Sequence, residues 1–590
     1  MTIRSLDNSN YIQMLKSGRG LKENQRRLPE LRLAILADHA TQQLSCVLQA
    51  AVLEEGYFPI IYEADYATAP MEVYNPNSKV YHFGPDIVFL SMAVPKYRDR
   101  FLGKVTPEGR ETLPDAYLAE ILGIIDTLSR ARLPVIVSNL ALPIERMFGN
   151  YSVLTRQSLY SSVLKFNSML ADAIAVRKGC QLNDVMYLAN RVGAESFLDD
   201  RLWLASKALC ANRFLPEVAR SVARATAARK GKITKCLVLD LDNTLWGGVV
   251  GDDGKECIRL GGDAYGEAFQ QFQRYILSLK QRGYILAICS KNDLETALDC
   301  CRNHPEMILR EEDFAIFVAN WNDKASNIEY IARVLNLGLD SLIFIDDSPF
   351  ERNLVRAALP TVSVPEMPDD VADYIRALEN SGLLEAIGYT GDDYHRSQKY
   401  REEALRTTEQ LKYNSIDGYL KSLEMAIDCG PFQAEQLPRI VQLIQRSNQF
   451  NLRTQRFSEA DCERYMLDTS GSVTLSARLQ DRFGDYGLIS AVCCDVEDRR
   501  LKVREFVMSC RVLKRGVEEH LINYLFNEGR KRGLVGIEGE YIQSSKNAMV
   551  KEFYKWFGFD LVRSDDMRQV WYLDVDRYEP KQTAIREISK

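Results

Sequence analysis

The sequence predicts a multidomain α/β protein, and three observations predict it. Short apolar strands alternate with helical patterns from Leu31 onward, the rhythm of a parallel sheet. Three of the apolar strands run straight into carboxylates or a hydroxyl, in the chain order Asp240, Ser290, Asp346. The 590 residues are also too many for one core, so roughly three or four domains are expected.

Residues 1–30 are polar and read as a poorly packed lead-in. The first α/β domain is expected over 31–212. Its candidate strands are 31–37, 58–62, 86–91 and 134–138, with helices over 42–55 and 115–130. His39 reads as a loop residue. A helical stretch over 202–229 turns basic at Arg224, Arg229, Lys230 and Lys232. Its end, 213–232, reads as a connector with a solvated basic face.

A second α/β domain is expected over 233–380. In Leu237-Val238-Leu239-Asp240-Leu241-Asp242, strand alternation points the two carboxylates the same way, at the carboxyl end of a buried strand. That end is where open α/β sheets hold ligands. Paired acids repel unless a proton or cation lies between them. A hard cation such as Mg²⁺ suits them, and such a site lets one carboxylate attack phosphorus while the other manages the proton. A second strand, 286–290, ends in Ser290, suited to a phosphoryl oxygen. Lys324 can neutralise phosphate charge; Lys291 is its rival but follows Ser290 directly. A third strand, 342–345, ends in Asp346 and Asp347, which complete the cation site. Between Asp242 and Ser290 there is room only for a flap over 246–254 and one helix over 265–282. The site is therefore open, covered by a neighbouring domain or fed by a large partner.

A polar helical linker is expected over 381–430. The last α/β domain, 431–577, carries a helix at 434–446, strands near 473–478, 488–494 and 503–508, and a helix at 517–532. A tail, 578–590, follows. Cys510 lies at a strand end before a helix, flanked by Arg511 and Arg515, where a thiolate is favoured. The chemistry leaves two readings open: a nucleophile, or a small buried strand residue.

Composition excludes several classes. Hydrophobic residues make up 46% and charged ones 26%, as in an ordinary soluble protein. A net charge of −6 without long runs of one sign argues against bulk nucleic-acid binding. No apolar run is long enough for a membrane. The 13 cysteines are scattered, some inside apolar strands (Cys236, Cys289), and read as reduced thiols of a cytoplasmic protein.

The ordered motifs of the second domain resemble the haloacid dehalogenase superfamily of aspartate-nucleophile phosphatases. The resemblance implies a Rossmann-like domain without a large cap, with Asp240 as nucleophile and Asp242 as acid/base. It implies phosphate binding by Thr244, Ser290 and Lys324, and Mg²⁺ held by Asp240, Asp242, Asp346 and Asp347. Phe553-Tyr554 and Gly558-Phe559 resemble the GCN5-type acyltransferase fold, which grips a coenzyme pyrophosphate with amides of a Gly-rich turn. Here Lys514 stands where a glycine is common. The first domain loosely resembles SGNH-type hydrolases, but it lacks their Gly-Asp-Ser turn and their Asp-x-x-His pair. It reads as a non-hydrolytic docking surface, for instance for a carrier protein.

The stretches 235–254, 289–293, 320–327, 344–353, 448–454, 481–487, 509–518 and 547–559 together resemble the FkbH-like family. That resemblance implies a glyceryltransferase/phosphatase of polyketide pathways. Its donor would be D-1,3-bisphosphoglycerate, its intermediate a glyceryl thioester on Cys510, and its acceptor the phosphopantetheine thiol of an acyl carrier protein. Two other readings stand beside it: a Mg²⁺-dependent small-molecule phosphatase, and a non-catalytic carrier-protein scaffold.

Overall fold

The computed structural model describes residues 8–21, 27–389, 391–394, 396–410, 412–413, 415–447, 450–453, 457–544, 547–565 and 567–588. The chain forms two compact units, Met1–Ser397 and Gln398–Lys590.

The first unit holds two parallel sheets. One has strands β1 (Glu30–Ala37), β2 (Phe58–Glu63), β3 (Ile87–Ser91), β4 (Val135–Ser138) and β5 (Cys180–Asn183), in the order β2-β1-β3-β4-β5. Strands β3 and β4 are buried along their whole length, as expected where helices cover both faces of a sheet. The sequence did not announce β5, because Cys-Gln-Leu-Asn is only four residues long and its alternation is inverted, with the polar Gln181 and Asn183 at the buried positions.

Two expectations need correction here. Residues 9–19 are not a loose lead-in. They form helix Ser9–Arg19, whose Tyr11 and Met14 join the first core. Gly18 permits this close approach, since a Cβ there would sit 1.8 Å from the Cys46 carbonyl oxygen. The connector expected over 213–232 is likewise part of this core. Helix Leu215–Arg229 buries Leu215, Val218, Ala219 and Val222 in it. Its basic side is not merely solvated: Arg220 pairs with Glu54 at 2.7 Å, Lys230 with Asp86 at 2.7 Å and Lys232 with Glu55 at 2.8 Å.

The second sheet has β6 (Cys236–Leu239), β7 (Ile285–Ser290), β8 (Ile316–Ala319) and β9 (Leu342–Ile345), all parallel, in the order β8-β7-β6-β9. Strands β6, β7 and β9 are fully buried. Burying each of their Leu or Ile side chains contributes about 1.5–3 kcal/mol, which fixes strand positions and hence the loops at their carboxyl ends. Helix Ala264–Gln281 packs Phe269, Phe272 and Ile276 into the same core.

The second unit is built on an eight-stranded sheet of order β15-β16-β14-β13-β12-β11-β10-β17. Its strands are β10 (Ala426–Gly430), β11 (Ser472–Asp481), β12 (Gly484–Glu497), β13 (Arg500–Met508), β14 (Gly536–Ile542), β15 (Asp560–Ser564), β16 (Arg568–Asp574) and β17 (Arg586–Glu587). Parallel strands β13 and β14 pair only at their first three positions, from Arg500↔Gly536 to Lys502↔Glu538. Beyond these they diverge, and the chain itself fills the gap: Leu452 N–H donates to Phe506 O at 3.3 Å, and Ile542 N–H donates to Leu452 O at 2.8 Å.

The linker expected over 381–430 is also corrected. Helix Arg396–Gln410, from Gln398 onward, belongs to the second unit. Its Arg406 is buried, donates to both oxygens of Asp481, whose side chain has no exposed surface, at 2.7 and 3.0 Å, and lies 4.1 Å from the Tyr486 ring centroid.

Candidate active site

Strand register brings the predicted residues together. Leu239 is level with Ile345 on β9 and with Ile288 on β7. Asp240 therefore leaves β6 beside Asp346, and its N–H still donates to Ile345 O at 3.0 Å. Asp240, Asp346 and Asp347 each offer a carboxylate oxygen within 4.8 Å of the others, a set able to hold a metal ion. All three donors are oxygens, which suits a hard cation such as Mg²⁺.

Lys324 opens helix Lys324–Leu335, capped by the Asp323 side chain, and is buried. Its Nζ lies 3.0 Å from Asp240 Oδ1 and 2.5 Å from Asp346 Oδ2. Burial works against its charge, but the two carboxylates more than offset this and raise its pKa. Burial and the facing Asp240 push Asp346 up to about 6, against the pull of Lys324. Burial and Asp240 also raise Asp347. The rival Lys291 is spent elsewhere, paired with Glu351 at 2.7 Å.

Asp242 is not in the cation group, contrary to the expectation that its carboxylate shares the ion. Its Oδ1 accepts from Trp246 Nε1 at 2.9 Å and from Val250 N–H at 3.0 Å, and its Oδ2 accepts from Asn292 Nδ2 at 2.8 Å. Burial raises its pKa, and these donors partly oppose the rise. The flap at 246–254 thus does more than cover: it orients Asp242. The loop before it turns through Asn243, which has φ 54°. Asn243 Oδ1 accepts from Gly248 N–H at 2.9 Å, a side-chain bond that suits the left-handed turn.

Thr244 is fully buried, and its Oγ1 accepts from Asp347 N–H at 3.2 Å, joining two of the loops. Ser290 is buried, and its Oγ accepts from Asn292 Nδ2 at 3.1 Å. Sequence reasoning missed Trp246 and Asn292 as partners of Asp242. It also missed Arg352, whose Nη1 donates to Asp346 O at 2.8 Å and Asp347 O at 2.6 Å. The signals for Asn292 and Arg352 were their places, two residues after Ser290 and five after Asp347.

In the second unit, Cys510 opens a 3-10 turn, Cys510–Val512, two residues after β13; its side chain lies outside the described residues. Of the arginines expected to favour its thiolate, Arg511 donates to Tyr486 O at 3.2 Å, and Arg515 bonds Tyr486 Oη. Lys514 takes the left-handed conformation (φ 59°) that favours glycine, and its N–H donates to Glu518 Oε1 at 2.9 Å. Residues 448, 449 and 454 of the stretch 448–454 lie outside the described residues. The 12 cysteines whose state is described are all free.

His39 lies in the loop after β1, as expected. It is fully buried, with Nε2 2.7 Å from Ser91 Oγ and Nδ1 3.0 Å from Ala40 O. Burial pushes its pKa down to about 4.

A family model described as FkbH, N-terminal domain, matches residues 32–225. The crystal structure of the N-terminal part of the protein BF1531 from Bacteroides fragilis, containing a phosphatase domain complexed with Mg, is 33% identical. It covers 64% of this chain and 99% of its own, with a TM-score of 0.61. The chain belongs to the FkbH-like family. Over about a quarter of this FkbH-like chain, two further structures match with TM-scores of 0.21. They are the ribosomal-protein-S18-alanine N-acetyltransferase from Escherichia coli (14% identity, 25% of this chain, 94% of its own) and the GNAT domain of S. lividans PAT (20%, 25% and 89%). No curated protein sequence matches the chain. Among the described residues, no helix is long and apolar enough to cross a membrane.

Proposed function

We propose that this FkbH-like protein is a glyceryltransferase/phosphatase. It removes phosphate from D-1,3-bisphosphoglycerate and passes the glyceryl group, through a thioester on Cys510, to the phosphopantetheine thiol of an acyl carrier protein. The observation that carries the phosphatase part is the Asp240–Asp346–Asp347 cluster bridged by Lys324. The related Bacteroides phosphatase domain, crystallised with Mg, supports it.

Asp240 attacks phosphorus: an O–P bond forms and the bond from phosphorus to the leaving oxygen breaks. Asp242, held by Trp246, Val250 and Asn292, gives the leaving oxygen its proton. It then takes a proton from the water that cleaves the aspartyl phosphate. Lys324 and Ser290 hold the phosphoryl oxygens. Mg²⁺, held by Asp240, Asp346 and Asp347, would supply neutralisation of charge on those oxygens. At the acyl phosphate, the Cys510 thiolate attacks the carbonyl carbon. A C–S bond forms, the C–O bond to phosphate breaks, and inorganic phosphate leaves. The carrier thiol then displaces Cys510 as thiolate, and its own proton is lost to solvent.

Intact-protein mass spectrometry after mixing with donor and Mg²⁺ tests this reading. A glyceryl-sized adduct is expected, removable by hydroxylamine and absent from Cys510→Ala. Carrier loading by Cys510→Ala at the normal rate would mean direct transfer from donor to carrier and would overturn the thioester role.

A further inference from the structure

Two adjoining segments of the first domain expose apolar side chains that the phosphatase chemistry does not use. The loop over 144–154 follows β4, and its Met147, Phe148, Tyr151 and Leu154 are exposed, Leu154 by 73%. Residues 102–105 end helix Val94–Leu102 and the turn after it; Leu102 and Val105 are exposed there, Val105 by 92%. Gln157 Nε2 ties the two segments, donating to Pro107 O at 3.1 Å and to Glu111 Oε1 at 2.9 Å. Single exposed apolar side chains are ordinary, but a group of them on adjoining segments marks an interaction surface.

This exposure is built into the loop. Its polar groups turn inward: Ser152 and Ser158 are buried, Phe148 N–H donates to Ser152 Oγ at 3.3 Å, and Ser158 Oγ donates to Ser152 O. A 3-10 turn, Gly149–Val153, is closed by Leu154 N–H donating to Tyr151 O at 2.9 Å. Glu145 anchors the start of the loop on Arg98 at 2.8 Å. Hydrogen bonds from beneath hold the backbone while the apolar side chains stay outside.

Charge says what covers the patch. Lys104, Arg110, Arg146 and Arg156 stand in or beside these segments, and none makes an ion pair among the described residues. Arg110 and Arg146 lie 5.2 and 5.5 Å from the ring centroids of Phe101 and Tyr160, contacts that place them without neutralising them. The acids of the same stretches are Glu108, Glu111 and Glu145, the last of them spent on Arg98. The local surplus is positive in a chain whose net charge is −6. An isologous contact between two copies would set that surplus against itself. A membrane-surface site lays an amphipathic helix in the interface, whereas Met147, Phe148, Tyr151 and Leu154 come from a loop and a 3-10 turn. The complement that remains is a protein surface, apolar at its centre and acidic at its rim.

We propose that this patch docks an acyl carrier protein, through a helix with an apolar face and an acidic rim. The choice of partner rests on the carrier-protein reading above; the chemistry of the contact rests on the residues named here.

Calorimetric titration of the full chain with each acyl carrier protein of the source organism, expressed without its phosphopantetheine arm, tests this. One of them should bind saturably, and added salt should weaken it. Met147→Ser with Leu154→Ser, and separately Arg146→Glu with Arg156→Glu, should each weaken that binding by about tenfold or more, as truncation or reversal at the centre of a contact does. Acidic residues on the carrier's helix changed to lysine should restore binding to the chain carrying Arg146→Glu and Arg156→Glu. Binding by no carrier, or binding indifferent to both pairs of substitutions, would overturn the site. Binding to phosphatidylglycerol vesicles that both pairs abolish, with no carrier bound, would make the patch a membrane surface instead. Dimers of the chain that both pairs dissolve would make it a self-contact. The titrations use no donor, Mg²⁺ or carrier thiol. Failure of the glyceryl chemistry therefore leaves a measured docking surface standing, and failure of docking leaves the phosphatase reading intact.

Discussion

Lys324 lies 2.5 Å from Asp346, and this one contact ties the helix after β8 to the end of β9. It places a positive charge between two strand ends whose carboxylates would otherwise face each other unpaired.

Asp240→Asn keeps the side-chain shape and removes the attacking charge. Phosphate release from the donor's phosphate ester, measured in the Cys510→Ala background so that the acyl phosphate is not spent on the thiol, should fall by about a thousandfold or more, as when a covalent nucleophile is lost. A phosphate assay with and without chelator checks it; unchanged release in either condition sinks the assignment.

Lys324→Met should destabilise the metal-free protein. It leaves the buried carboxylates of Asp240 and Asp346 without their cation, a loss of about 3–5 kcal/mol for a broken buried pair. Thermal unfolding should show a lower midpoint for the first unit, and added Mg²⁺ should recover more of it in the variant than in the parent. Equal midpoints without Mg²⁺ would refute this.

Arg352→Ala should raise the Mg²⁺ concentration needed for half-maximal phosphate release by about 10–100-fold, as loss of an outer partner of a metal ligand typically does. Among the described residues, the Arg352 guanidinium donates to the backbone oxygens of Asp346 and Asp347 and to the Glu366 carboxylate. Restoration of phosphate release by saturating Mg²⁺ separates this positioning role from a direct one.

His39 sets a pH dependence. Its folded pKa of about 4 lies below the ordinary 6.5. The folded state therefore resists protonation, and the stability it contributes is full above pH 6.5 and lost as pH falls from there toward 4. The total is on the order of 3 kcal/mol. His39→Gln should flatten the acid limb of unfolding by about one proton over that window; an unchanged slope would contradict it.

The His39–Ser91 pair resembles a hydrolytic dyad, but among the described residues His39 Nδ1 meets a backbone carbonyl oxygen rather than a carboxylate, and both residues are about 1% exposed. Fluorophosphonate should not label Ser91. Labelling at that residue would show that the first domain is a hydrolase after all.

Much of the candidate site was legible because each residue sits at the end of an apolar run. Leu237–Leu239 and Leu342–Ile345 announce buried strands, and the next residues must then emerge at the same edge of the sheet. The partners that hold those residues were not legible. Asn292 and Trp246 reach Asp242 through loop geometry that no periodicity encodes. Helix Leu215–Arg229 was misread because its sequence is rich in alanine and arginine, and only the packed structure shows that Val218, Ala219 and Val222 face a core. Strand β5 escaped because two of its four residues are polar.

The buried pair Arg406–Asp481 also decides where the chain can be cut. A fragment begun at residue 431, the start expected for the last domain, would carry Asp481 but not Arg406. It would keep a carboxylate with no exposed surface and no countercharge. Such a fragment should be expressed as an insoluble or partly folded product. One begun upstream of Gln398 brings its own cation, and is the piece on which the separate chemistry of the second unit can be studied.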